Sequence, residues 1–118
     1  MKQMPELTIT RNDTLGFDRI DIDLPDVRVG NVRCRFMGKT VIVYSIQVFP
    51  EFQGNGYGTA TIDMLKGQFQ VIVADRVRFT AREFWEKKGF KELPDGNWEY
   101  RQFAPKVQIV SPLRPRSD

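Results

Sequence analysis

Three glycines at alternate positions, in Gln53-Gly54-Asn55-Gly56-Tyr57-Gly58, stand between an apolar, β-branched run from Thr40 to Val48 and a helical segment opening at Thr59. No other stretch narrows the choice of fold as much. Glycine reaches positive φ without strain and lets a ligand come close to the main chain. The first N–H groups of the following helix have no intrahelical partner, and the helix dipole adds partial positive charge there. A strand, such a turn and a helix together make a cradle for a phosphate or pyrophosphate.

The flanking segments extend this reading. Thr40 to Val48 has few polar side chains, the pattern of a strand covered on both faces at the centre of a sheet. Upstream, Leu7 to Thr10 alternates weakly, and Arg11 to Gly16 holds turn residues. Arg19 to Leu24 alternates strictly, with Ile20, Ile22 and Leu24 on one side. Val27 to Phe36 alternates with a change of phase at Gly30-Asn31, which predicts a bulge or tight turn. Met37-Gly38-Lys39 predicts a hairpin turn. Downstream, Thr59 to Gln68 reads as a helix with Ala60, Met64 and Leu65 facing inward. Gln70 to Ala74 reads as a short strand, completing a βαβ unit. Phe79 to Lys88 reads as a second helix, with Thr80 and Glu83 as a capping box and Gly89 as its stop. Strands Phe90 to Leu93 and Trp98 to Phe103 flank the turn Pro94-Asp95-Gly96-Asn97. Residues 1–103 are thus expected to form one α+β domain. Residues 104–118, with three prolines and the charges Arg114 and Arg116, are expected to be a partly disordered tail.

Composition excludes more than it proves. The chain has no histidine and one cysteine, Cys34, among 118 residues. That removes Ser-His-Asp and Cys-His catalysis, most zinc sites and any internal disulfide. Cys34 is expected to be an ordinary reduced strand residue, and no metal site is expected. No apolar run reaches the ~20 residues of a membrane span, and Met1 to Glu6 has no secretory apolar stretch. A cytoplasmic location without membrane contact is the expectation. The net charge of +3 comes entirely from residues 61–118, which carry eleven basic and eight acidic side chains. That bias suits an anionic ligand and is too dispersed to argue for nucleic acid. A P-loop is excluded because no lysine follows the glycines. A dinucleotide fold is disfavoured by glycine spacing, by Phe49 to Phe52 intervening after the strand, and by the short chain that remains.

Two motifs together resemble the GCN5-related N-acetyltransferase (GNAT) superfamily. Gln53 to Gly58 is similar to its Arg/Gln-x-x-Gly-x-Gly/Ala signature, preceded by Val48-Phe49-Pro50-Glu51-Phe52. Ala81-Arg82-Glu83-Phe84-Trp85-Glu86-Lys87-Lys88-Gly89-Phe90 resembles its Ala-x-x-Phe-Tyr-x-Lys-x-Gly-Phe element. The resemblance covers about Thr40 to Phe103, and the family's usual N-terminal helix pair is missing or shrunken. It implies a mixed, mostly antiparallel sheet of six to seven strands with a V-shaped cleft, flanked by a few short helices. It implies acetyl-coenzyme A as cosubstrate. Gln53, Gly54, Asn55, Gly56, Tyr57, Gly58 and Thr59 would wrap its pyrophosphate, and Tyr57 would point inward. The backbone of Ile46 and Val48 would pair with its pantetheine arm, and Val71 to Ala74 would form the other wall. Arg78, Phe84, Trp85 and Lys88 would flank it.

The implied reaction is direct acetyl transfer to an amine, either a protein lysine, a protein N-terminus or a small amine. The sequence departs from the family where chemistry is done. Trp85 stands where the family often has a proton-donating tyrosine, and no carboxylate lies in Thr40 to Val48. Arg78 stands where the family commonly has asparagine. Tyr44 and Ser45 are therefore the candidate catalytic side chains, with Gln47 a third polar group on that strand. The alternative is a catalytically weak protein on the same fold that binds a partner protein, as phage effectors bind host machinery, through Trp85, Trp98 and the basic tail.

Overall fold

The computed structural model describes residues 4–11 and 16–102. Seven strands form one sheet: β1 (Glu6–Thr10), β2 (Asp18–Asp23), β3 (Arg28–Met37), β4 (Thr40–Val48), β5 (Val71–Ala74), β6 (Lys91–Glu92) and β7 (Trp98–Arg101). Their spatial order is β1-β2-β3-β4-β5-β7-β6. Among the described strands only β4 and β5 run parallel, joined by the crossover helix α1 (Tyr57–Lys66). The α+β sheet is the expected one.

Cross-strand rungs explain the core. Cys34 faces Val43, Val43 faces Ala74, and Ala74 faces Trp98. Phe36, Val41, Ile72 and Tyr100 make the next rung, and Ile20, Val32 and Ile46 a third. All these side chains share one face because strand side chains alternate. Ile62 and Leu65 of α1, with Trp85 and Phe90 from the second helical segment, pack on the same cluster. The opposite face carries Arg19, Asp21, Arg33, Arg35, Ser45 and Gln47, and no described helix packs there. A two-layer molecule of this kind needs alternation in β2 and β3, which Arg19 to Leu24 displays in its sequence.

Several boundaries differ from the sequence expectation for identifiable reasons. The phase change near Gly30 is a bulge: Gly30 faces Ile22 and Arg28 faces Asp23, leaving Val29 without an opposite residue. Met37 pairs with Thr40, so the hairpin loop is Gly38-Lys39 alone, with Gly38 at φ 63°. Helix α1 starts two residues early, because Gly56 at φ 83° is its N-cap. Its buried residues are Thr61, Ile62 and Leu65, while Ala60 and Met64 are only half-buried. The inward stripe is therefore turned about one residue from the predicted one. Phe79–Ala81 is a 3₁₀ turn, and α2 (Arg82–Lys87) has no side-chain cap, so the capping box does not form. Lys66 at the end of α1 donates to the Lys88 carbonyl and covers the Tyr100 ring at 4.1 Å. It thereby holds the two helix ends together. Strand β6 is shorter than Phe90 to Leu93, Phe103 lies outside the described residues, and so does the tail 104–118.

The expectation that Thr40 to Val48 is covered on both faces is wrong for its second half. Val41 and Val43 are buried, but Tyr44, Ser45 and Gln47 are exposed. The cause is that no described helix covers the face carrying Ser45 and Gln47, and that β5 pairs with β4 only as far as Val43, which leaves Tyr44 beside the gap.

Cys34 has no exposure and lies in the middle of the core. Burial pushes its thiol up to about 12, with the Asp18 charge adding to the effect. The thiolate is the reactive form, so at pH 8 the folded protein is expected to leave a disulfide reagent such as DTNB unreacted until denaturant opens the core. Stoichiometric labelling of the native protein within minutes would contradict this burial.

Candidate active site

The cleft forms where β4 and β5 part. The last main-chain link between them is the Asp75 N–H to the Val43 carbonyl, 2.8 Å. Beyond it each strand is held to a different neighbour. On one side the Phe49 N–H donates to Val29 on β3 at 2.8 Å. On the other, the Arg76 N–H donates to the Asn97 side-chain oxygen at 2.7 Å, and the Val77 N–H to the Gly96 carbonyl at 3.3 Å. Arg76 takes φ 43°, unusual for a residue with a β-carbon, to make that turn. The β6–β7 turn thus pulls the chain after β5 away while β3 retains β4, and the gap of about 510 Å³ between them stays open.

A bulge directs the wall. Arg33 faces Ser45 and Cys34 faces Val43, so Tyr44 is the extra residue on β4. Because Phe49 bonds toward β3, alternation turns the backbone of Ser45 and Gln47 to β3 as well. The backbone of Ile46 and Val48 then points into the cleft. The Val48 carbonyl already accepts the Gln53 side-chain amide at 2.8 Å, which ties the glycine loop to the strand end. Asn55 donates from its side chain to the Phe52 carbonyl at 3.0 Å, tightening the same turn.

The loop itself is built for close approach. Gly54 and Gly56 have φ of 84° and 83°. The first helical bond runs from the Ala60 N–H to the Gly56 carbonyl, and no side chain caps the helix. The N–H groups of Tyr57, Gly58 and Thr59 therefore lie ahead of the ladder at the positive end of a ten-residue helix. A β-carbon on Gly58 would reach Phe84 and Val48 at 4.0 Å, so this glycine sits where loop, cleft wall and α2 meet.

Six of the residues singled out in the sequence line the cleft, while Val48 and the loop Gln53 to Thr59 lie outside its lining. Tyr44, Ser45 and Ile46 line the cleft from β4, and Arg78, Phe84 and Trp85 line it from the far side. Tyr44 is 40% exposed, whereas Trp85 is 7% exposed and lies edge-on to both Phe84 and Phe90. Trp85 is thus mainly a packing group, with a small part of it in the wall. Lys88 does not join the lining: its ammonium lies 3.6 Å from Asp63 of α1, linking the two helices. Tyr57 is half-buried against the core. The sequence reading passed over Asp75 and Arg76 as site residues, and both line the cleft. The signal for them was the βαβ order. Parallel strands bring their C-terminal ends together, so the residues after Ala74 fall beside Tyr44.

No family model matches the chain. Two curated relatives are uncharacterised N-acetyltransferases. One, from Bacillus velezensis, is 33% identical over 51 residues, covering 43% of this chain and 31% of the relative. The other, from Staphylococcus saprophyticus, is 32% identical over 59 residues, covering 48% and 38%. The matched stretches thus span about a third of the length of these relatives. Among solved structures, the Bacillus subtilis N-acetyltransferase YlbP in complex with coenzyme A has a TM-score of 0.59 at 21% identity, over 71% of this chain and 67% of that one. A Bacillus subtilis acetyltransferase in complex with coenzyme A has a TM-score of 0.55 at 14% identity, over 86% and 100%. The chain has the GNAT fold. As a GNAT fold it has the seven-stranded sheet and the parted parallel pair, with both described helices on one side.

Proposed function

We propose that this GNAT-fold chain transfers an acetyl group from acetyl-coenzyme A to an amine. The observation that carries the reading is the alignment of three features along one path. These are the uncapped N-terminus of α1 behind Gly54 and Gly56, the edge of β4 at Ile46 and Val48 that faces away from β3, and the opening beside Tyr44. The N–H groups at the loop suit a pyrophosphate, and the strand edge suits the amides of a pantetheine arm. Gln53 to Thr59 would hold the phosphates, and Phe84 would supply apolar contact along the arm. Coenzyme bound there supplies a thioester: the amine forms a C–N bond to the acyl carbon, the C–S bond breaks, and the sulfur leaves needing a proton. Tyr44 is the chain's donor for that proton. Asp75 supplies the carboxylate that β4 lacks and takes the proton from the amine, directly or through water. The acceptor is a lysine or N-terminal amine of a protein, because the cleft opens beside the exposed Tyr44 and Ser45 and next to a sheet face that no described helix covers.

The test has two stages. Titration calorimetry with acetyl-coenzyme A is expected to give a micromolar-range dissociation constant. Gly56→Glu is expected to weaken it about 100-fold, because the new carboxylate stands where the phosphates bind and glycine's positive φ is lost. Free-thiol release with a panel of amines and peptides then reads turnover. Absence of coenzyme binding by a folded wild-type protein would sink the proposal. Binding without thiol release from any acceptor would favour the alternative, a partner-binding protein. For that alternative the contacts cannot be Trp85 and Trp98, which are 7% and 5% exposed.

A further inference from the structure

Resting on that reading, we propose that the bare sheet face beside the cleft docks an acidic segment of the acceptor protein. Both described helices lie on the other face, so a chain delivering an amine to Tyr44 and Ser45 crosses this one. Its charge is arranged as a ladder leading away from the cleft. Ser45 lines the cleft and is the cross-strand partner of Arg33, and Arg33 is the partner of Arg19. Arg35 lies two residues along β3 on the same face. The aspartates of this face are already engaged: Asp21 lies 3.3 Å from Arg19 and 3.6 Å from Arg28, and Asp23 lies 2.8 Å from Arg28. Among the described residues no carboxylate lies within ion-pair distance of Arg33 or Arg35. Arg33 instead lies over the Phe17 ring at 4.9 Å, and Arg35 donates to the Gly16 carbonyl. These contacts fix the two guanidinium groups without neutralising them.

The ladder is also internally unfavourable. Arg19 and Arg33 stand directly opposite on adjacent strands, an arrangement that costs stability. Asp21 already offsets Arg19, so an incoming anion relieves what remains at Arg33, and a carboxylate accepts a bidentate pair from a guanidinium fork. Spacing sets which residues of the acceptor are read. Strands lie ~4.8 Å apart, so Arg33 and Arg19 stand about 5 and 10 Å from β4. An extended chain advances ~3.3 Å per residue and alternates its side chains, which places the acidic residues about one and three positions from the amine.

The experiment uses fluorescently labelled short peptides that differ only at those two positions, carrying Glu, Gln or Lys. Anisotropy is measured with the full chain, with and without saturating coenzyme A, at low and high salt. The Glu peptide is expected to bind about tenfold more tightly than the Gln peptide, with the difference shrinking as salt rises. Arg33→Glu is expected to abolish the preference and Arg33→Lys to keep a weaker one, both with wild-type coenzyme affinity by calorimetry. Equal binding of the Glu and Gln peptides, or a preference that survives Arg33→Glu, overturns the proposal. The two readings fail separately. Loss of coenzyme binding in the wild-type protein removes the transferase function, while the coenzyme-free peptide titration still decides the docking face.

Discussion

Gly30→Ala is expected to unfold most of the protein at temperatures where the wild type is stable. A β-carbon built at Gly30 would collide with the Gln47 carbonyl oxygen and lie 3.0 Å from Val48 Cα, both main-chain atoms of β4. Neither atom can rotate away as a flexible side chain would. Relief requires β3 and β4 to separate at the Gly30–Val48 pair, next to the Val29 bulge. That breaks the ladder holding Val32, Cys34 and Val43 in the core. Overpacking of side chains typically costs ~1–3 kcal/mol, and a clash between two strands belongs at or above the top of that range. At ~4–8 °C per kcal/mol for a domain of this size, the melting temperature should fall by about 15 °C or more. Gly67→Ala is the control. Gly67 has φ −78°, and its added β-carbon would meet only the Met64 carbonyl oxygen at 3.4 Å. Thermal unfolding followed by circular dichroism reads both variants. Equal melting temperatures for Gly30→Ala and the wild type would show that β3 and β4 are not packed this closely.

Gly30 also marks where sequence reasoning stopped. Its phase change was legible as a bulge or turn, because alternation either side of it disagrees. The close approach to Gln47 was not, since it depends on how β3 and β4 twist against each other across a hairpin. The same division holds along the chain. Alternating Ile20, Ile22, Val32, Cys34 and Phe36 announced the buried face, and the glycine loop announced the helix start to within two residues. Thr40 to Val48 misled because β-branched residues are compatible with one or two covered faces. What decides the matter is that no described helix covers the second face and that β5 stops after four residues. The failed capping box at Thr80 is similar: the pattern was present, but the chain there turns as a 3₁₀ segment instead. In the cleft, Tyr44 and Ser45 could be picked out as the rare polar groups on β4. Asp75 was visible only as the end of a strand until its amide was seen bonded to Val43.

The two walls of the cleft are held by different devices, which separates binding from chemistry. The loop and the edge of β4 present main-chain groups, fixed by the ladder to β3. The vertex presents side chains, Tyr44 from the bulge and Asp75 from the parting strand. A substitution at the vertex that keeps volume should therefore leave coenzyme affinity alone.

Tyr44→Phe is such a substitution, and it is expected to lower kcat by ~10²–10⁴, the usual value of a positioned proton donor. Among the donors lining the cleft the phenol stands out. Ser45 offers an aliphatic hydroxyl, and guanidinium and indole groups in general are not proton donors in acid catalysis. Tyr44 is also the residue that the bulge inserts on β4, beside the parting point at Asp75 and 40% exposed to the opening. Removing its oxygen deletes the donor and leaves the ring, the bulge and the backbone of Ile46 and Val48 in place. Thiol release under saturating acetyl-coenzyme A reads kcat, and calorimetry reads affinity for the coenzyme. A fall in kcat at unchanged affinity assigns the proton to Tyr44. Undiminished kcat would move that role to solvent. A fall in affinity of the same size as the loss in kcat/KM would mean that the phenol only shapes the cleft.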